Sequence, residues 1–130
     1  MKTLGIQHFF NATWNWHIIK NMPFGFKNGS CVYYGGKDCR CAIGCGLPVK
    51  AAKIAEEYGD GIQAVSKIYR FRKEVKLKST GELTALQWVH DDAARSGGTS
   101  ATKKELSHIK MHYKECLLDF AKEHNLSVPS

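Results

Sequence analysis

Four of the five cysteines lie between residues 31 and 45, in the pattern C-x7-C-x-C-x3-C. A structural zinc site would need these thiolates to converge on one ion, and such sites usually hold paired cysteines about two to four residues apart. Two other interpretations are open, namely buried thiols that pack as small apolar side chains and a thiol activated by a nearby cation or helix N-terminus. The spacing is poor for zinc, so we predict no metal and no other cofactor. If zinc is bound, its ligands are Cys31, Cys39, Cys41 and Cys45.

The segment L-Q-W-V-H-D, which ends at Asp91, carries a second group of reactive side chains. On a helix, Gln87, His90 and Asp91 lie three or four positions apart and share one face. Such a trio can orient a ligand, or it can supply a general base with an orienting group. In an enzyme, Cys41 or Cys31 would be the nucleophile and His90 the base, oriented by the carboxylate or the amide. That alternative requires a cysteine sulfur about 3–4 Å from the imidazole.

Positive charge is concentrated in one segment. The chain carries 19 Lys and Arg against 12 Asp and Glu, and K-I-Y-R-F-R-K-E-V-K-L-K at residues 67–78 holds six cations and one acid. We call this segment the basic strip; such strips usually face nucleic acid, a nucleotide or an acidic protein surface. Aromatic rings between cations can stack on the bases of a nucleic acid. Strand-like alternation, however, predicts that Tyr69 and Phe71 face the core. The cations would then contact a ligand by electrostatic attraction alone. The cations predicted to contact a ligand are Arg70, Arg72, Lys73 and Lys76.

Hydrophobic periodicity places these residues in a mostly helical α+β domain that spans residues 1–130, with about five helices and a small β-hairpin around residues 31–44. A capping box of Thr102 and Glu105 marks the start of the last helix. Apolar and charged residues alternate along the basic strip, which is typical of a β-strand, and a continuing helix is the alternative. The other predicted helices cover residues 3–20, 48–58, a stretch from about residue 60, and 82–94, and an exposed loop covers 95–101.

Several functional classes are not indicated by the sequence. No segment approaches the roughly 18 apolar residues that a membrane span needs, and we see no signal peptide at the N-terminus. We therefore expect a cytoplasmic protein with reduced thiols and no membrane partner. Phosphate-binding glycine loops and metalloprotease or hydrolase motifs are also absent from the sequence.

Three segments, C-V-Y-Y-G-G, C-A-I-G-C-G-L-P and L-Q-W-V-H-D, followed by F-A-K-E-H-N-L, resemble in order and spacing a group of small uncharacterised bacteriophage and prophage proteins. In that group a C-x-Y strand precedes a C-A-x-G-x-x-x-P segment and a helix carries L-Q-x-x-H-D. An acidic residue often follows the proline, whereas Val49 stands there in this chain, and Cys39 is not part of the pattern. The matching positions are Cys31, Tyr33, Cys41, Gly44, Pro48, Gln87, His90 and Asp91.

The resemblance implies the cytosol of an infected or lysogenic bacterium, where accessory phage proteins often inhibit or sequester host factors. We therefore expect a binding protein rather than an enzyme, one that sequesters or inhibits an anionic host target: a nucleotide signal, nucleic acid or a host defence protein. The alternatives are the cysteine enzyme and a structural zinc-binding or dimerisation module, in which Trp14 and Trp16 would form a partly exposed surface. A second copy of the chain stays open as a partner. The expected ligand contacts outside the basic strip are Cys31, Tyr33, Gln87, His90 and Asp91.

Overall fold

A computed structural model describes residues 3–27, 30–36, 38–97 and 102–129, and it confirms a mostly helical α+β fold. Two long helices near the C-terminus, α5 (Thr80–Gly97) and α6 (Lys103–Glu123), pack on one another and on the N-terminal helical segment. In chain order the elements are β1 (Thr3–Leu4), α1 (Ile6–Thr13), a π-helix (Trp14–Ile19), β2 (Phe26–Lys27), β3 (Ser30–Cys31), a 3-10 turn (Gly44–Gly46), α2 (Val49–Tyr58), α3 (Ile62–Val65), α4 (Tyr69–Arg72), β4 (Lys76–Leu77), α5 (Thr80–Gly97) and α6 (Lys103–Glu123).

The N-terminal segment is helical because its apolar side chains recur every three or four positions and pack inward. Phe9 and Phe10 are fully buried and Trp14 nearly so, which makes this segment a central part of the core. The helix begins later than predicted, because Thr3 and Leu4 pair as a parallel strand with β4. The last turns widen into the π-helix, a rare form that often accompanies functional positions.

The antiparallel sheet lies at the N-terminal edge of the predicted hairpin region. Its strands are β2 and β3, with Phe26 opposite Cys31. Beyond them the chain forms a turn rather than regular strands, in which Cys41 N–H donates to the Val32 carbonyl at 2.8 Å and Gly35 N–H donates to the Cys39 carbonyl at 2.8 Å. The chain then enters the 3-10 turn that precedes α2, and this turn contains Cys45.

The two C-terminal helices correspond to the last two helices predicted from the sequence. In α6 the Thr102 hydroxyl accepts the Glu105 backbone N–H at 3.2 Å, which confirms the predicted capping box. In α5 the helix continues past the predicted end at 94, so residues 95–97 of the predicted loop are helical and 98–101 lie outside the described residues. No helix in the described part of the chain is long and apolar enough to cross a membrane.

Candidate functional site

A cleft of about 480 Å³ opens between β3, the turn after α2, and α5. We call it the Cys31 cleft, because that thiol is on its wall. Tyr33, Gln87 and Asp91 also line it, so four of the predicted ligand contacts share one surface although they come from distant parts of the chain. His90, the fifth, is fully buried nearby and forms part of the same hydrogen-bond network.

The trio on α5 lies on one face, as its spacing predicts, and its hydrogen bonds are satisfied within the fold. The Nδ1–H of His90 donates to Asp91 Oδ1 at 2.8 Å, and the Gln87 amide donates to the same oxygen at 2.7 Å. The Nε2 of His90 accepts the backbone N–H of Gly25 at 3.1 Å, and the Gln87 carbonyl oxygen accepts the N–H of Ile43 at 3.2 Å. The trio therefore joins α5 to two separate loops.

Burial also sets the charge state of His90. Desolvation lowers the pKa of the imidazole below its ordinary value, and the hydrogen bond and charge of Asp91 oppose that effect only in part. The ring is therefore neutral near pH 7, with its proton on Nδ1 and its Nε2 lone pair already used. A histidine in this state has no free nitrogen with which to take a proton from a substrate or a thiol.

The thiols of the predicted cysteine cluster make contacts in different directions. The Sγ atoms of Cys31 and Cys41 lie 3.3 Å apart, and Cys41 Sγ also accepts the N–H of Gly44 at 3.3 Å. Cys45 donates to a carbonyl in its own turn at 3.3 Å, and Cys39 lies 3.7 Å from the Phe24 carbonyl. All five cysteines are free thiols.

The surroundings of Cys31 and Cys45 disfavour the thiolate form of each. The hydrogen bond to Cys41, followed by burial, raises the pKa of Cys31 far above its ordinary value, and burial raises the pKa of Cys45. A reactive cysteine needs the opposite shift, toward a lower pKa. Since His90 uses both nitrogens on other partners, the geometry does not assemble the thiol–imidazole pair that the enzyme alternative requires.

The zinc alternative is not supported by the arrangement either. Within the described ranges, no group of three or more His, Cys, Asp or Glu side chains is placed to hold a metal ion. Cys39 and Cys45 point to separate carbonyl groups rather than to the pair formed by Cys31 and Cys41. Of these four cysteines, Cys41 is fully buried and the other three are partly exposed.

Carboxylates that the sequence analysis did not select also line the Cys31 cleft. Glu56 Oε1 accepts the backbone N–H groups of Tyr33 and Tyr34 at 2.8 and 3.2 Å, which fixes the segment after β3. With Asp60 and Asp91, three acidic side chains line the cleft, and the described residues that line it include no Lys or Arg. An anionic ligand is therefore disfavoured in the cleft itself.

The basic strip forms a separate surface, and one prediction about it is wrong. Tyr69 does not face the core: 68% of its side chain is exposed, while Phe71 is fully buried. The reason is that α4 is a helix, and residues two apart on a helix point in nearly opposite directions. Lys73 Nζ lies 5.5 Å from the Tyr69 ring centroid, and Arg70 forms a surface ion pair with Glu57 at 3.2 Å. Arg70, Arg72, Lys73 and Lys76 are all exposed.

One of the two tryptophans meets the condition of the dimerisation alternative, which needs both Trp14 and Trp16 partly exposed. Trp14 does not, since it is 6% exposed and packs in the core. Trp16 is half-buried, with Arg40 near its ring. The deeply packed N-terminal helix explains this, because its apolar residues cover more than one face. The exposed tryptophan is Trp88 of α5, which is 63% exposed and lines the Cys31 cleft.

A second buried polar network escaped the sequence analysis. Thr13 Oγ1 donates to His17 Nδ1 at 2.7 Å and accepts from the Tyr113 hydroxyl at 2.7 Å, while His17 Nε2–H donates to the Arg40 carbonyl at 2.8 Å. Burial lowers the pKa of His17, and its ring centroid lies 5.1 Å from that of His90. The i, i+4 spacing of Thr13 and His17 was the one signal that could have indicated a shared face.

Comparison with protein-family models, curated proteins and solved structures finds no match to this chain. Its function must therefore be argued from the chemistry of its own surfaces.

Proposed function

We propose that this chain is a non-catalytic binding protein that engages an anionic ligand through the basic strip, residues 67–78. The observation that carries the proposal is the exposed ring of Tyr69 among exposed cations. A base can stack on such a ring while neighbouring cations neutralise its phosphates, and single-stranded nucleic acids are bound in this way. The proposed ligand is therefore a nucleotide signal or a single-stranded nucleic acid.

The state of the other reactive groups supports binding without chemistry. The thiols of Cys31 and Cys45 are held protonated, and both nitrogens of His90 are hydrogen-bonded inside the protein. The acidic Cys31 cleft suits an anion poorly, and this supports the basic strip as the proposed site of the anionic ligand. In this proposal Gln87, His90 and Asp91 maintain the fold on which that strip is carried.

The biological setting that we propose follows from the resemblance to phage and prophage proteins. In the cytosol of an infected or lysogenic bacterium, the chain would sequester or inhibit a host factor by occupying its nucleotide or nucleic acid ligand. A host defence protein that presents an acidic surface is the remaining alternative, since the same exposed cations would contact it. Binding to such an acidic protein surface would need only the cations of the basic strip. The exposed ring of Tyr69 favours a ligand that contains bases, because a base can stack on it.

Fluorescence anisotropy with a labelled oligothymidylate of about 12 nucleotides tests this proposal. The variants are Tyr69→Ala and the triple change of Arg72, Lys73 and Lys76 to Gln. The matched control changes Lys20, Lys104 and Lys122 to Gln, which removes the same charge from exposed lysines outside the basic strip. A duplex of the same length, whose bases are already stacked, serves as the charge-only ligand.

We expect the Tyr69→Ala protein to bind the single strand about 5-fold to 150-fold more weakly, since stacking on an aromatic ring contributes about 1–3 kcal/mol per base. The triple variant should also lose salt dependence, with a slope of log K against log salt that is smaller by about 2. Equal affinity for duplex and single strand would contradict the stacking component. If the triple variant and its control bind alike, the basic strip is not the binding surface.

A further inference from the structure

A second concavity, of about 650 Å³, lies between the segment that follows the π-helix and helix α6. We call it the Lys110 groove. Most of its lining is apolar, and it includes the side chains of Met22, Phe24, Leu106 and Met111. Of these, Leu106 is 41% and Met111 61% exposed, so apolar surface faces solvent at the rim. Its volume falls within the range of about 300–1,000 Å³ that is typical of small-molecule sites.

The charged side chains that line the Lys110 groove are all of one sign. Lys103, Lys110 and Lys114 line it, and the described residues of its wall include no Asp or Glu. Among the described residues, none of these three lysines forms a salt bridge with a carboxylate. The combination of an apolar wall and unneutralised cations is complementary to a molecule that carries both an apolar body and a negative charge.

Lys110 is the most constrained of the three lysines. Its ammonium group donates to the carbonyl of His17 at 2.7 Å and to the carbonyl of Met22, and it lies 4.8 Å from the centroid of the Phe24 ring. An ammonium group has three N–H donors, so one remains after these two hydrogen bonds. Burial lowers the pKa of Lys110 to about 8, because the partly desolvated cation has no carboxylate beside it. An anion in the groove would supply that missing partner.

We propose that the Lys110 groove binds a small amphiphilic carboxylate, with its head group on the ammonium of Lys110 and its apolar body against Phe24 and Leu106. This site lies outside the basic strip, because none of residues 67–78 lines it. It is therefore a second anion site of different chemistry, one that selects for an apolar body rather than for a base. The two proposals can fail independently. The nucleotide proposal is tested with an oligonucleotide and variants of the basic strip, whereas this one is tested with a carboxylate and variants of the Lys110 groove.

Isothermal titration calorimetry with three probes of one chain length tests the proposal: decanoate, decanol and decyltrimethylammonium. We expect decanoate to bind at least about tenfold more tightly than the alcohol, since a charge-assisted hydrogen bond to the carboxylate adds to the same apolar contact. The cationic probe should bind more weakly than either. Equal affinity for decanoate and decanol, tighter binding of the cation, or no binding of decanoate would overturn the proposal.

Two variants locate the binding. Lys110→Met keeps the apolar stem but removes the charge, and it should abolish the preference for decanoate over decanol. Leu106→Glu places a carboxylate at a partly exposed position on the groove wall, where it should weaken decanoate binding at least about tenfold without disturbing the core. Val49→Glu is the matched control, since Val49 is an exposed apolar residue on α2 outside the groove. If Leu106→Glu behaves like Val49→Glu, the Lys110 groove is not the site.

Discussion

His90 and Asp91, neighbours in the chain, are joined by a hydrogen bond of 2.8 Å between the imidazole Nδ1–H and the carboxylate. Because the second ring nitrogen accepts the N–H of Gly25 at 3.1 Å, the imidazole connects α5 to the loop before β2. A histidine hydrogen-bonded to a carboxylate is typical of a catalytic base. Here both ring nitrogens are hydrogen-bonded within the protein, so the imidazole has a structural role.

Replacing His90 with Ala should lower the free energy of unfolding by about 2–4 kcal/mol. The change empties a fully buried site, leaves the Gly25 N–H without its partner, and removes one of the two hydrogen bonds that Asp91 Oδ1 accepts. Urea denaturation measures the effect. His108→Ala is the control, because His108 is exposed on α6 and its loss should change stability by no more than about 0.5 kcal/mol. Similar stabilities for the two variants would contradict a structural role for His90.

Stability should fall as the pH drops below about 6.5. His17 and His90 are buried and have lowered pKa values in the folded state, so below pH 6.5 the unfolded chain binds protons that the folded chain does not. The contribution of these two histidines to stability therefore rises with pH up to the unfolded value near 6.5 and is constant above it, with a slope of up to about 1.4 kcal/mol per pH unit for each histidine. Urea midpoints between about pH 5 and 8 measure this slope. A flat profile over that interval would show that the two imidazoles are not held neutral.

Cys31 should react slowly with iodoacetamide although this residue lines the Cys31 cleft. Its pKa is raised by the hydrogen bond to Cys41 and by burial, so almost no thiolate is present near neutral pH. Mass spectrometry of peptides from native and urea-unfolded protein should show labelling at least about tenfold slower in the native state. Rapid native labelling of Cys31 or Cys41 near pH 7 would instead favour the cysteine enzyme.

Gly44→Ala should destabilise the fold by about 3 kcal/mol or more. A Cβ atom at Gly44 would lie 2.1 Å from the carbonyl oxygen of Tyr33, a backbone atom that cannot move without displacing the whole segment. Gly61→Ala is the matched control, since a Cβ there meets nothing within 4 Å and its φ of −63° suits any residue. Thermal unfolding of the two variants gives the comparison. A small effect at Gly44 would mean that the turn beside the Cys31 cleft is loosely packed.

Local signals in the sequence predicted several elements well. The capping box of Thr102 and Glu105 depends on residues three apart, and the shared face of Gln87, His90 and Asp91 depends on the helical repeat, so both could be found without knowing the fold. The short helix at Tyr69 was harder, because four helical residues give too little periodicity to be separated from a strand. Whether this segment is a helix or a strand decides whether the ring of Tyr69 is exposed or buried.

Other features depend on contacts between distant parts of the chain. The parallel pairing of β1 with β4, the bond from Gly25 to His90, and the network of Thr13, His17 and Tyr113 each join segments that no local pattern links. The Lys110 groove also depends on such contacts, because its wall combines residues 18–26 with residues of α6. The sequence alone indicates only that its lysines are surface charges on a helix. The carbonyl groups that hold Lys110 belong to the N-terminal part of the chain.

By itself the sequence determined the residue types, the helical repeats and the concentration of charge in the basic strip, because these follow from local spacing and composition. The tertiary structure decided what those residues can do. It paired Cys31 with Cys41 rather than with His90, used both imidazole nitrogens of His90 for support, and left Tyr69 in solvent. The physical reason is that protonation, reactivity and exposure depend on burial and on hydrogen-bond partners, which only the packing of distant segments supplies.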